Sequence, residues 1–208
     1  MLRVLGRTTS INVRKVLATL AEIGADYEHE PQWAGPDAPT SSPDFLRLNP
    51  NALIPVLIDD DFIMWESNAI CRYLALKHER RDLYPENERE RAVVDMWMDW
   101  QATELNNAWR DAFMGLVRKH PDYANPDRIA KSAERWNAMM GLLDARLSDT
   151  GGFIAGNVLT LADIVIGLSA HRWRSTPIDK AALPAVAVWL AKLDGRAAFA
   201  RFATPDYP

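Results

Sequence analysis

Residues 1–30 read MLRVLGRTTSINVRKVLATLAEIGADYEHE, and their periodicity decides the architecture of the N-terminal part of the chain. Leu2, Val4 and Leu5 form a short strand-like run that stops at Gly6. Thr8, Thr9 and Ser10 follow, a cluster of turn and cap formers. Val13, Val16, Leu17, Leu20 and Ile23 then recur at helical spacing, and Gly24 supplies a helix stop. Asp26 to Glu30 reads as a second strand. Strand, helix, strand is a βαβ unit, which implies parallel pairing of the two strands.

Pro31 to Pro43 carries four prolines among small polar residues and is expected to be a loop. Asp44 to Leu48 is expected to make one helical turn. Pro55 to Ile58 and Phe62 to Met64 flank Asp59-Asp60-Asp61, the pattern of an antiparallel hairpin. Ser67 opens an amphipathic helix running to about Lys77. Beyond His78 the chain turns charged, and from Arg91 it is helical almost throughout, with long candidates at Arg91–Lys119 and Asp127–Leu147. Thr160 to Trp173 is apolar enough to be buried, and Pro184 opens a late helix. The expected organisation is a domain over 1–80, a linker over 81–90 and a helical domain over 91–208.

Composition narrows the function classes. Hydrophobic residues make up 48% of the 208 residues, enough to bury a core. The formal charge of −4 opposes non-specific binding to nucleic acid. The longest apolar run, Ala181 to Ala191, is broken by Pro184 and too short for a membrane span. A single cysteine, Cys71, excludes an intramolecular disulfide and a CxxC redox pair, so a reducing, cytoplasmic setting is expected. The four histidines show no metal-ligand spacing, so no metal site is expected.

Three places carry chemistry. The turn Thr8-Thr9-Ser10-Ile11-Asn12 lies between a strand end and a helix start, where open α/β sheets bind ligands. On spacing alone, Ser10 or Thr9 caps the helix. Glu66-Ser67 opens another helix; it either caps it or receives an amino acid, Glu66 taking the ammonium and Ser67 the carboxylate. Leu53-Ile54-Pro55 precedes the hairpin, where a proline suits an edge or a turn. Thr160 and Asp163 read as a capping box, and Cys71 as a small core residue.

Taken together these segments resemble the cytosolic glutathione transferase family, in a serine-type form like its bacterial, phi and theta members. Gly6-Arg-Thr-Thr-Ser10-Ile-Asn12-Val-Arg-Lys-Val16 resembles the active-site turn, and Asn49-Pro-Asn-Ala-Leu-Ile-Pro55-Val-Leu57 the segment that holds a cis-proline. Trp65-Glu-Ser-Asn-Ala-Ile70 resembles the glutathione-binding Glu-Ser pair, and Gly156-Asn-Val-Leu-Thr-Leu-Ala-Asp163 the capping motif of the helical domain. The resemblance implies α/β plus all-α architecture: a thioredoxin-like domain (β-α-β-β-β-α) followed by an all-helical domain.

It also implies a function, conjugation of glutathione to a small hydrophobic electrophile, with glutathione as co-substrate and no cofactor. Ser10, with Asn12 in a possible sharing role, would face the glutathione sulfur; Leu53, Ile54, cis-Pro55, Glu66 and Ser67 would bind the tripeptide. No tyrosine or cysteine stands in the turn, which excludes the tyrosine type and disfavours the cysteine type. Leu53 stands where many relatives place a polar residue for the glycyl end, and the 31–43 loop offers no Lys, Arg or His for that carboxylate. Trp109 and Phe113, four apart on one helix face, are candidates to line an electrophile site between the domains. A homodimer is implied, with Asp99 or Glu104 reaching the partner's glutathione. The rival expectations are a glutathione-dependent disulfide or peroxide reductase, and a non-catalytic binding protein on the same fold.

Overall fold

A computed structural model describes residues 1–204, and the chain divides into two compact units at Tyr84/Pro85. The first unit holds a four-stranded sheet in the order β2-β1-β3-β4, built from β1 (Leu2–Leu5), β2 (Glu28–Glu30), β3 (Val56–Asp59) and β4 (Phe62–Trp65). β1 pairs parallel with β2 and antiparallel with β3, and β3 pairs antiparallel with β4. The parallel pair and the hairpin are those that the apolar runs predict. β2 is shorter than the expected Asp26–Glu30 run, because its register with β1 begins at Arg3↔Glu28.

Helices α1 (Ile11–Ile23) and α3 (Ser67–Lys77) pack against each other. Val13, Val16, Leu17 and Leu20 are each at most 1% exposed, as are Ile70 and Leu74 across from them. Full burial of each such side chain stabilises by roughly 1.5–3 kcal/mol. Gly24, at φ 78°, ends α1 by donating its N–H to Leu20 O at 2.9 Å. Between β2 and β3 of the first unit, α2 (Pro43–Leu48) is the expected short turn, capped by the Ser42 hydroxyl, which accepts from Phe45 N–H at 3.3 Å.

The second unit is helical. Its first long helix starts earlier than Arg91: α4 (Glu88–Trp100) is capped by Asn87, whose Oδ1 accepts from Arg89 and Glu90 N–H at 3.0 and 3.2 Å. A π-helical turn, Gln101–Leu105, carries it into α5 (Asn106–Leu116). α6 (Pro126–Thr150) opens with Pro126 behind an Asn125 cap and ends at Gly151. α7 (Leu161–Ser175) is buried along almost its whole length, as its apolar composition requires. α8 (Pro184–Asp194) and the short α9 (Ala197–Ala200) follow. No helix among the described residues is long and apolar enough to cross a membrane.

Candidate functional site

Sheet register brings the chemistry-bearing segments together. Leu5 lies opposite Val56, and Val56 opposite Trp65, across three adjacent strands. Neighbouring strands lie about 4.8 Å apart. One residue outward from that line stand Gly6, Pro55 and Glu66, so the 6–12 turn, the proline and the Glu66-Ser67 pair emerge at one end of the sheet. The N-termini of α1 and α3 start at that end, and the 31–42 loop leaves β2 there too, since Leu5 pairs with Glu30. Helix N-termini present N–H groups without intrahelical acceptors and carry partial positive charge.

Gly6 is what lets the turn meet the proline segment. Its φ is +134°, and a β-carbon placed on it would lie 2.7 Å from Val13 Cγ2 and 2.8 Å from Ile54 Cβ. Only glycine fits such an approach. The turn is pinned from β2: Gly6 N–H donates to Glu30 O at 3.0 Å, and His29 Nε2 donates to Gly6 O at 2.8 Å. The Ile54–Pro55 peptide is cis, as the resemblance implies. The loop before it is held by Asn49, whose side chain donates to Leu53 O at 2.8 Å and accepts from Asn51 N–H at 3.0 Å.

Ser10 stands at the N-cap of α1 with extended dihedrals (φ −82°, ψ 123°), yet its hydroxyl makes no capping hydrogen bond. Its backbone is fixed, donating to Arg7 O and accepting from Arg14 N–H, both at 3.1 Å. Spacing alone favours a cap; the geometry instead leaves this hydroxyl uncommitted to the helix. Asn12 is in the first turn of α1, half-buried like Ser10.

Glu66 is exposed and sits at φ +72°, a left-handed conformation that costs a non-glycine residue on the order of 1 kcal/mol or more. Its carboxylate does not cap α3, so helix capping does not account for it. Ser67 follows at 6% exposure. Lys15, a cation in the middle of α1, is 1% exposed, with Nζ 3.4 Å from Asn68 Oδ1. It ties the first turn of α3 to α1.

Leu53 is 62% exposed. Near it Trp33, Leu48 and Ile54 pack on Phe45 and Val56. Glu30 holds Trp33 by accepting its indole N–H at 3.0 Å and is itself held by Arg3. Cys71 is buried between the helices, receives the Thr19 hydroxyl at 3.3 Å, and has its thiol pushed up to about 11 by burial. It is a core residue.

In the helical unit, Trp109 and Phe113 meet edge-on at 5.4 Å, and Trp109 lies 6.2 Å from Trp136. The Arg172 guanidinium covers both rings, at 4.6 and 3.9 Å. Phe113 is only 2% exposed, while Trp109 is half-buried, its indole donating to Asn106 Oδ1 at 3.1 Å. Asp99 is exposed, and Glu104 pairs with Arg135 at 3.2 Å. Among the described residues, no three or more His, Cys, Asp or Glu side chains converge as a metal site.

Known proteins share this fold. Residues 1–76 match the family model described as glutathione S-transferase, N-terminal domain. Over 201 residues the chain is 37% identical to glutathione S-transferase GstB of Escherichia coli, covering 95% of each. The chain belongs to the glutathione S-transferase family. It is also 34% identical to glutathione S-transferase 3 of Zea mays, over 95% of this chain and 91% of that one. Among solved structures, the theta class glutathione S-transferase of Xanthomonas axonopodis pv. citri with glutathione bound superposes with a TM-score of 0.91 at 33% identity, covering 98% of this chain and 97% of that one. Family membership accounts for the mixed four-stranded sheet and for the helical unit that follows it in the chain, in the order in which the motifs occur.

Proposed function

We propose that this family member is a glutathione transferase that binds glutathione at the sheet end formed by Gly6–Asn12, Ile54–Pro55 and Glu66–Ser67. The observation that carries the reading is the Ser10 hydroxyl, positioned at a helix N-terminus without capping it. Ser10 donates to the glutathione sulfur, with Asn12 as a second donor. Ile54 offers its backbone to the cysteinyl residue beside cis-Pro55. Glu66 takes the γ-glutamyl ammonium, and Ser67 with its N–H takes the γ-glutamyl carboxylate. Leu53 borders the glycyl end.

A free thiol of pKa about 8.5 is only about 3% ionised at pH 7. A hydroxyl donor and a helix N-terminus favour the anion over the thiol. A shift of about two units, roughly 2.7 kcal/mol of differential interaction, makes the thiolate the majority form. The thiolate lone pair then forms a carbon–sulfur bond to the electrophile; the leaving group departs as an anion, and the thiol proton has gone to solvent. Half-buried Trp109 supplies aromatic surface for a small hydrophobic electrophile, whereas Phe113, 2% exposed and covered by Arg172, only backs that ring and, against the sequence expectation, does not line the site; the active form is a homodimer. Cys71, buried and raised to about 11, is unsuited to carrying a mixed disulfide, which favours conjugation over protein-thiol reduction.

Calorimetric titration with glutathione at pH 7 tests the site. Saturable binding of one molecule per chain, weakened in Glu66→Ala without a large loss of melting temperature, supports the assignment. Normal affinity with a large melting loss returns Glu66 to a structural role. A chlorinated aromatic assayed against a small disulfide separates conjugation from reduction.

A further inference from the structure

We propose a second binding site, in the cleft between α5 and α6 of the helical unit, for a small multivalent oxyanion of the phosphate-ester or polyphosphate class. The cleft has a volume of about 430 Å³. Four cations line it, Arg110, Arg128, Lys131 and Arg135, against one carboxylate, Asp111. The whole chain carries a net −4, so this local excess runs against the overall charge. Arg128 is occupied: Nε and Nη2 donate to Asp111 at 3.0 and 3.1 Å. Arg135 reaches out to Glu104 at 3.2 Å. Among the described residues, Arg110 and Lys131 have no anionic partner.

The cleft is built on a rigid floor. Ser132, 9% exposed, inserts its hydroxyl into the α5 ladder, donating to Ala108 O at 2.6 Å and accepting from Ala112 N–H at 3.1 Å. An inserted side chain of this kind bends a helix and locks it to its neighbour. One end is closed by the turn Pro121–Tyr123, which sits so close to α5 that a β-carbon on Gly115 would lie 2.5 Å from Tyr123 O. The cations therefore project around a fixed concavity, where like charges reinforce one another's potential. Guanidinium forks match phosphate oxygens in pairs. A monovalent anion would gain little in so open a place, whereas a multivalent one engages Arg110 and Lys131 together.

The experiment is calorimetric titration of the full chain with inorganic pyrophosphate at low ionic strength, with a parallel glutathione titration as a check on folding. Saturable binding at one per chain, weakening as sodium chloride rises, is expected. The double variant R110A/K131A should lose about tenfold or more in pyrophosphate affinity. Asp111→Asn, which releases Arg128 and removes the one lining carboxylate, should bind pyrophosphate more tightly, a gain that misfolding cannot imitate. Glutathione affinity should be unchanged in both variants. Absence of saturable pyrophosphate binding, binding unaltered in R110A/K131A, or weaker binding in Asp111→Asn overturns the proposal.

Discussion

Ser10→Ala separates the chemical role of the hydroxyl from a structural one. Because the hydroxyl makes no capping bond, its removal should leave stability nearly unchanged. Had it capped α1, the loss would be about 0.5–2 kcal/mol, and a chain of this size would melt roughly 2–4 °C lower per kcal/mol. The effect on bound thiol is different in kind. A hydrogen bond to a charged acceptor contributes about 1.5–3 kcal/mol, and one pKa unit corresponds to about 1.4 kcal/mol, so the bound thiol should rise by about one to two units. If the wild-type thiol titrates near about 6.5, two units below its free value, the thiolate fraction at pH 6.5 falls from about one half to roughly 1–10%. Conjugation at pH 6.5 should therefore drop about 5–50-fold and recover as pH passes about 9. Ultraviolet difference titration of the bound thiolate, alongside a pH profile of kcat/KM, reads both quantities. A thiolate titration that superimposes on wild type, coupled to a lower melting temperature, would refute the reasoning and return Ser10 to the cap.

Three further outcomes follow from the same geometry. Asp163 accepts four hydrogen bonds, from Ile154 N–H and Trp189 Nε1 at 2.9 Å and from the Thr160 N–H and hydroxyl at 2.9 and 3.1 Å. Asp163→Asn points an amide NH2 at two of those donors and should cost about 2–5 kcal/mol, seen as a melting loss of roughly 5–15 °C with kcat/KM per folded molecule intact. Asp59 is held below the ordinary carboxylate range by the Lys77 ammonium at 2.6 Å and the Tyr73 hydroxyl at 2.5 Å. A depressed folded pKa gives stability that is present at neutral pH and lost as pH falls through that value. Tyr73→Phe should thus move the acid limb of unfolding to higher pH, read by circular dichroism; an unmoved limb argues against the pair. Asp59 pairs with Leu2, at the sheet end remote from Gly6, so glutathione binding should not change. Finally, native protein should resist iodoacetamide at pH 8 and label at Cys71 only in denaturant; rapid native labelling would contradict the burial that raises this thiol.

Much of this was legible from periodicity because the apolar residues recur at helical or strand spacing within each element. Val13, Val16, Leu17 and Leu20 mark α1 as a packed helix, and all four are at most 1% exposed. The missed features share a cause: they are set by partners distant in sequence. Lys15 is received in a buried place by Asn68, 53 residues on. The π-turn is invisible in a helical pattern, since Gln101–Leu105 scans like its flanks. It brings Gln101 within 2.9 Å of both Asn106 Oδ1 and Ser169 of α7, a contact that local sequence does not encode. Glu66 reads as a cap because acidic residues are favoured at helix starts, and nothing local signals its left-handed backbone.

The site was more legible than these details because its parts are fixed by strand register. A Ser before a helix, a Pro opening a strand and a Glu-Ser pair are each common, and each has a structural reading that suits it alone. Register removes their independence. With Leu5, Val56 and Trp65 on one line across β1, β3 and β4, the residues that follow β1, precede β3 and follow β4 must stand side by side. The direction of each strand decides whether the neighbouring residue is the next or the previous one, and here the antiparallel pairs alternate so that all three point to one end. A one-residue slip of β3 would exchange the faces on which Val56 and Leu57 are buried and move Pro55 away from Gly6. The burial of Val56 and Leu57 in β3 and the close Gly6–Ile54 approach therefore protect the same geometry that the chemistry uses. Gly6→Ala strikes that coupling directly: its β-carbon meets Val13 and Ile54 inside 3 Å, so it should cost both stability and glutathione affinity. That joint loss distinguishes it from Ser10→Ala, which spares the fold, and from Asp163→Asn, which spares the site.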